Sequence, residues 1–102
     1  MSIEGLEAAI ETVGFDTVDA ANQAGLRLMH LIQDATPVKT GKLKAGWKMK
    51  PITEVGDMVE VTNNVEYAIY VNDGTHKMAP RLMVEKGIAK FNSEFRSVSR
   101  RI

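Results

Sequence analysis

The chain has 102 residues, no cysteine, 44% apolar and 25% charged residues, and 13 acids against 13 lysines and arginines. That suits a single domain with one core. It excludes disulfides and thiolate sites, and no apolar run reaches the roughly 20 residues of a membrane-spanning helix.

The zero net charge is segregated along the chain. Residues 1–20 hold Glu4, Glu7, Glu11, Asp16 and Asp19 and no base; residues 39–50 hold Lys39, Lys42, Lys44, Lys48 and Lys50 and no acid. Beyond residue 84, Lys86, Lys90, Arg96, Arg100 and Arg101 stand against Glu85 and Glu94. Separation of this kind favours ordered contact with a partner or with further copies of the chain, although solvated faces give the same pattern.

In chain order, Leu6, Ile10 and Val13 repeat at helical spacing, which predicts a short acidic helix over 2–13 with Ser2 as cap. The opening MSIEGLEAAIE is acidic and amphipathic, unlike a secretory signal or a transit peptide. Asp16 or Thr17 then caps a second helix over 17–35, whose stripe is Val18, Ala21, Gly25, Leu28, Ile32 and Ala35. Gly25 in that stripe predicts a close approach by another element, and Pro37 ends the helix. Asn22, Gln23, Arg27, His30 and Asp34 fall on the opposite face.

From Lys42 to Lys50, Leu43, Ala45, Trp47 and Met49 alternate with Lys42, Lys44, Gly46, Lys48 and Lys50. Period two predicts a strand with one buried face and one wet, lysine-lined face. Residues 53–57 read as a turn and Met58–Thr62 as the returning antiparallel strand, with Val59 and Val61 inward. Residues 65–71 fit either a strand or a helix. Asn72-Asp73-Gly74 marks a turn, and Pro80 suits the first turn of a final helix carrying Val84, Ile88, Phe91, Phe95 and Val98. The predicted fold is α+β: N-terminal helices and one C-terminal helix, both long helices lying on the apolar face of a small antiparallel sheet.

Nothing in this pattern carries chemistry. Thr40-Gly41-Lys42 lacks the earlier glycine and the following Ser or Thr of a phosphate loop. His30 and His76 have no partners at metal-ligand spacing, and no carboxylate pair or nucleophile motif stands out. No catalytic residue, cofactor or metal is expected. The lysine face is the feature with reach: it can meet phosphates, meet an acidic surface, or keep an edge strand from pairing with strangers.

Two separated stretches, PVKTGKL (37–43) and YAIYVNDGT (67–75), followed by a proline-opened amphipathic helix, resemble the small neck proteins of long-tailed double-stranded DNA phages, called tail-completion, head–tail joining or minor tail proteins. The chain departs from the family's usual residues at Lys39, Gly46, Asn72 and Leu82-Met83. The likeness covers about 18–98, so the expected organisation is one domain over 1–102, with an acidic N-terminal helix over 1–15 and a family-like core over 17–100. Pro37, Val38, Thr40, Gly41, Leu43, Tyr67, Ala68, Val71, Gly74 and Thr75 carry the motif, and each has a structural use: helix stop, tight turn, buried ring with a polar tip, or positive φ. The resemblance implies a non-enzymatic virion protein, assembled in the host cytoplasm, that joins the head or portal side to the tail as a ring, with a hexamer matching tail symmetry. Implied partners are other neck, portal-side and tail-tube proteins and passing DNA, without a membrane. Glu4, Glu7 and Glu11 are the expected acidic contacts and Lys39, Lys42, Lys44, Lys48 and Lys50 the basic ones. The rival reading is a small nucleic-acid-binding module using the Lys42–Lys50 face and the C-terminal arginines; steep salt dependence would mark it.

Overall fold

The computed structural model describes residues 6–37, 41–77 and 79–94. The elements are β1 (Leu6–Glu11), α1 (Val18–Asp34), α2 (Gly41–Ala45), β2 (Trp47–Lys50), β3 (Met58–Asn63), α3 (Ala68–Asp73) and α4 (Met83–Glu94). The strands form one antiparallel sheet in the order β1-β3-β2, so the chain is α+β as its pattern predicts.

The N-terminal segment corrects the expected helix. Leu6, Ala8 and Ile10 face inward opposite Asn63, Val61 and Val59, while Glu7, Ala9 and Glu11 face out. A four-residue spacing satisfies period two as well as period 3.6, so Leu6 and Ile10 could not discriminate. Pairing with the apolar β3 decides for the strand. Thr12 pins its end: the buried hydroxyl donates to Asp57 O at 2.5 Å and accepts from Gly56 N at 2.7 Å. Ser2 and Glu4 lie outside the described residues.

α1 forms where predicted. Thr17 is extended and its hydroxyl accepts from Ala20 N. Ala21, Gly25, Leu28 and Ile32 of the stripe are buried. The helix lies on β2 and β3, and Asn22, expected on the wet face, clamps the end of β2: it accepts from Ile52 N at 2.8 Å and donates to Ile52 O at 3.1 Å.

The long lysine strand is only half a strand. Residues 41–45 form α2, and β2 begins at Trp47. Leu, Lys and Ala are strong helix formers and no β-branched residue stands between 41 and 46, so local propensity breaks the alternation. Leu43 remains buried, but Ala45, expected inward, is exposed. Two carbonyls of this short turn are satisfied by distant side chains: Leu43 O by Asn63 Nδ2 and Lys44 O by Gln33 Nε2. Trp47 is buried at 4% exposure, as the pattern requires. Its indole N–H donates to Thr36 Oγ1 at 3.0 Å, and that hydroxyl donates to Ile32 O. Thr36→Val is expected to cost about 1–3 kcal/mol by stranding the buried indole donor, with Thr36→Ser close to the parent; equal losses for the two in urea unfolding would refute this account.

Within residues 65–71 the helical alternative holds from Ala68 onward, where α3 begins after a turn at 66–67, and Gly74 takes φ +80 as its turn predicts. Tyr70 of the YAIYVNDGT stretch is 58% exposed. Pro80 does not open α4: the helix starts at Met83, after Leu82 at φ +51. α4 packs chiefly on α1, with Met83, Val84, Gly87 and Phe91 inward; Ile88, placed in the predicted stripe, is 36% exposed. Phe95 and Val98 lie outside the described residues.

Arg27 of α1 holds Glu94 of α4 through two parallel bonds, Nε to Oε1 at 2.8 Å and Nη2 to Oε2 at 2.5 Å. These bonds hold the Glu94 carboxyl below its usual range and the Arg27 guanidinium above its own. A depressed carboxylate stabilises the fold above its unfolded pKa and loses that contribution as pH falls through the folded value. The pair is exposed, so its effect is small and screened by salt. The stability gap between the parent and Glu94→Gln should therefore close on acidification below the carboxylate range; a gap that widens would contradict the assignment.

Candidate assembly interface

The sheet has one covered and one bare face. Inward residues Ala8, Val59, Val61 and Trp47 are buried, and α1 covers this side. In register, the outward rows are Glu7–Thr62–Lys48 and Ala9–Glu60–Lys50, followed by Glu11–Met58. Glu7, Ala9, Glu11, Lys48, Lys50 and Met58 of these are exposed. The bare face is therefore two-toned: carboxylates line the β1 edge and ammonium groups the β2 edge. Strand spacing puts those edges about 10 Å apart.

The pleat explains why the side chains sort this way. Successive residues alternate faces, so Lys48 and Lys50 must point out once Trp47 and Met49 point in. Glu7 and Glu11 follow the same rule on β1. Beyond the basic edge, an open groove of about 290 Å³ runs between Lys42, Gly46, Lys48, Asn64, Val65 and Glu66. At the other end of β2, a second groove of about 300 Å³ includes Lys50, Asp57 and Glu60. Both mix charges of either sign.

The expected contact residues are thus partly gathered. Lys48, Lys50, Glu7 and Glu11 share one sheet face. Lys42 and Lys44 do not: they sit on α2, with Lys42 exposed at the first groove and Lys44 half-buried. Lys39 and Glu4, with Val38 and Thr40 of the motif, lie outside the described residues, as do the C-terminal arginines. Of the other motif residues, Leu43 and Ala68 are buried, Tyr67, Val71, Gly74 and Pro37 are half-buried, and Gly41 and Thr75 are exposed. Sequence reasoning placed acids and lysines on separate elements but did not bring them onto one sheet, because β3 joins β1 to β2 only through long-range pairing. It also missed Met58, 48% exposed beside Glu11, and the neighbouring Val13 and Val55, 53% and 40% exposed. Period two alone already sets Met58 outward, since Val59 points in.

His30 and His76 are both exposed, and among the described residues no group of three or more His, Asp or Glu side chains could hold a metal ion. No helix among them is long and apolar enough to cross a membrane.

A protein-family model described as "Bacteriophage HK97-gp10, putative tail-component" matches residues 6–74, more than half of the chain. The match spans β1 through α3 and so takes in the whole sheet. No curated protein and no solved structure matches the chain.

Proposed function

We propose, from the premise that this chain belongs to the HK97-gp10-like family of phage tail components, that it is a structural piece of the virion neck, where it joins the head side to the tail as a ring. The observation that carries this reading is the bare, two-toned sheet face within the matched span. A ring repeats one contact between two different surfaces of the same chain. Acids on one edge and lysines on the other supply two such surfaces. The partners are further copies of the chain and the neighbouring neck and tail-tube proteins, and a hexamer fits the symmetry of a tail.

The test is the mass of the purified protein alone and mixed with tail tubes lacking it. A defined oligomer on the tube end supports the reading; a chain that stays monomeric and unbound with tubes refutes it. Reversing Lys48 and Lys50 to Glu is expected to abolish incorporation while leaving helicity unchanged and costing no more than about 1 kcal/mol of stability, since both are surface positions and the one new like-charge pair is Lys50→Glu facing Glu60 across the strands. Normal incorporation of this variant would remove the basic edge from the account.

A further inference from the structure

We infer that β1 of one copy pairs edge to edge with β2 of the next, in parallel, so that the three-stranded sheets continue into one another around the assembly. This rests on the ring reading above and names its joint. Both strands are edges: β1 and β2 each pair only with β3 among the described residues. Among the described residues, no backbone–backbone hydrogen bond reaches residues 6–11 or 47–50 beyond that pairing. Each edge therefore presents a row of unused donors and acceptors, the template on which a further strand adds.

Charge selects which strand. Two β1 edges would set Glu7 and Glu11 against the same glutamates, and two β2 edges would set lysine against lysine; like charges facing across strands destabilise the pair. Only the mixed joint is attractive, so the two-fold dimers are disfavoured and the head-to-tail contact remains. The short, lysine-bearing β2 that deters strangers is matched by one surface on this protein, the acidic edge.

Direction follows from the topology. β1 and β2 are each antiparallel to β3, so they run the same way. Rotating the subunit about an axis near the strand direction preserves that, which makes the joint parallel. Glu7 and Lys48 already share the Thr62 row within one copy. Across the joint, a matched register sets Glu7 beside Lys48, and a two-residue slide sets Glu11 beside Lys50.

The chain contains no cysteine, which permits a direct test. In the variant carrying both Glu7→Cys and Lys48→Cys, the two thiols of one chain stand on either side of β3, about 10 Å apart, beyond disulfide reach. Any disulfide must therefore link two copies. Oxidation of full-length protein assembled on tail tubes should give a covalent ladder closing at the ring number. The pair Glu11→Cys with Lys50→Cys reads the alternative register, and Asp19→Cys with Glu54→Cys, away from both edges, should give none. Independently, Glu7→Lys with Glu11→Lys should lower assembly about tenfold or more by replacing attractive rows with repulsive ones, and adding Lys48→Glu with Lys50→Glu should restore it. An oligomer that forms without either cross-link and without rescue overturns the strand joint and leaves the ring reading standing. No oligomer from the parent protein under any condition overturns both.

Discussion

Asn72→Ala is expected to destabilise the fold by about 3 kcal/mol, more than most polar truncations, and to lower the melting temperature on the order of 15 °C for a domain of this size. Asn72 is 1% exposed and closes α3. Its Oδ1 accepts from Val84 N at 3.0 Å. Val84 is the second residue of α4, whose first amides have no partner within the helix. Leu82, just before that helix, has no side-chain oxygen with which to cap it, so Asn72 caps α4 from another element. Its Nδ2 donates to Glu85 Oε1 and Asp73 Oδ1, both at 3.0 Å. The flanking backbone repeats the link, Arg81 N donating to Val71 O and Leu82 N to Asn72 O, each at 3.0 Å. Alanine removes the cap and so strands the buried Val84 N–H, one loss of about 1–3 kcal/mol, and it also removes the amide's bonds to two carboxylates. The carboxylates are exposed and rehydrate, so those bonds add only about 1 kcal/mol and the total comes to about 3 kcal/mol. Asn72→Asp separates the parts. It keeps the acceptor for Val84 but sets a third carboxylate beside Asp73 and Glu85, so its deficit should shrink as pH is lowered. Urea unfolding at two pH values measures both. A loss under 1 kcal/mol for the alanine variant would mean that the backbone bonds alone hold α3 to α4.

Asn72 also shows where sequence reading stops. As part of an Asn-Asp-Gly run it announces a turn, and the turn is there, with Gly74 at positive φ. Nothing local says that the same side chain reaches the start of a helix eleven residues later. Thr12, Asn22, Thr36 and Asn63 share this property: each is a polar side chain bonded to backbone or ring groups brought near by folding. Elements whose burial is set by one dominant neighbour were legible. The α1 stripe, the inward valines of β3 and the core position of Trp47 follow from periodicity. β1 was not, because Leu6 and Ile10 fit two periods and the choice belongs to β3. The lysine segment was legible from Trp47 onward and misread before it, where helix-forming residues imitate alternation. The candidate interface divides the same way. Lys48 and Lys50 point outward by the pleat alone, whereas their companionship with Glu7 and Glu11 requires the sheet order.

The second large effect concerns two glycines on the two sides of α1. Gly87→Ala is expected to cost about 2 kcal/mol even though alanine favours a helix interior over glycine by about 1 kcal/mol. A Cβ at Gly87 would collide with Ile32 Cγ1 and stand 3.0 Å from the Ile32 Cα and N. The obstacle is backbone, so relief requires α4 to move off α1, and crowding of this kind costs about 1–3 kcal/mol. At Gly25 the added atom would collide with Val59 Cγ1 and meet Met49 Cγ at 3.4 Å. Those are side-chain atoms, and methionine adapts readily. Val59 is β-branched and fully buried on a strand, so it yields less. Gly25→Ala should therefore destabilise by about 1 kcal/mol, the smaller of the two. Gly25 and Ile32 are seven residues apart on α1, roughly 10 Å along its axis, and they meet different neighbours, so the double variant should add to within about 0.5 kcal/mol. Denaturant unfolding with an unchanged slope gives all three values. Neither glycine lies on the bare sheet face, so both single variants should still assemble wherever they remain folded. If Gly87→Ala instead stabilises, α4 is free to shift on α1, and the tight seam between those two helices is not what fixes the final helix in place.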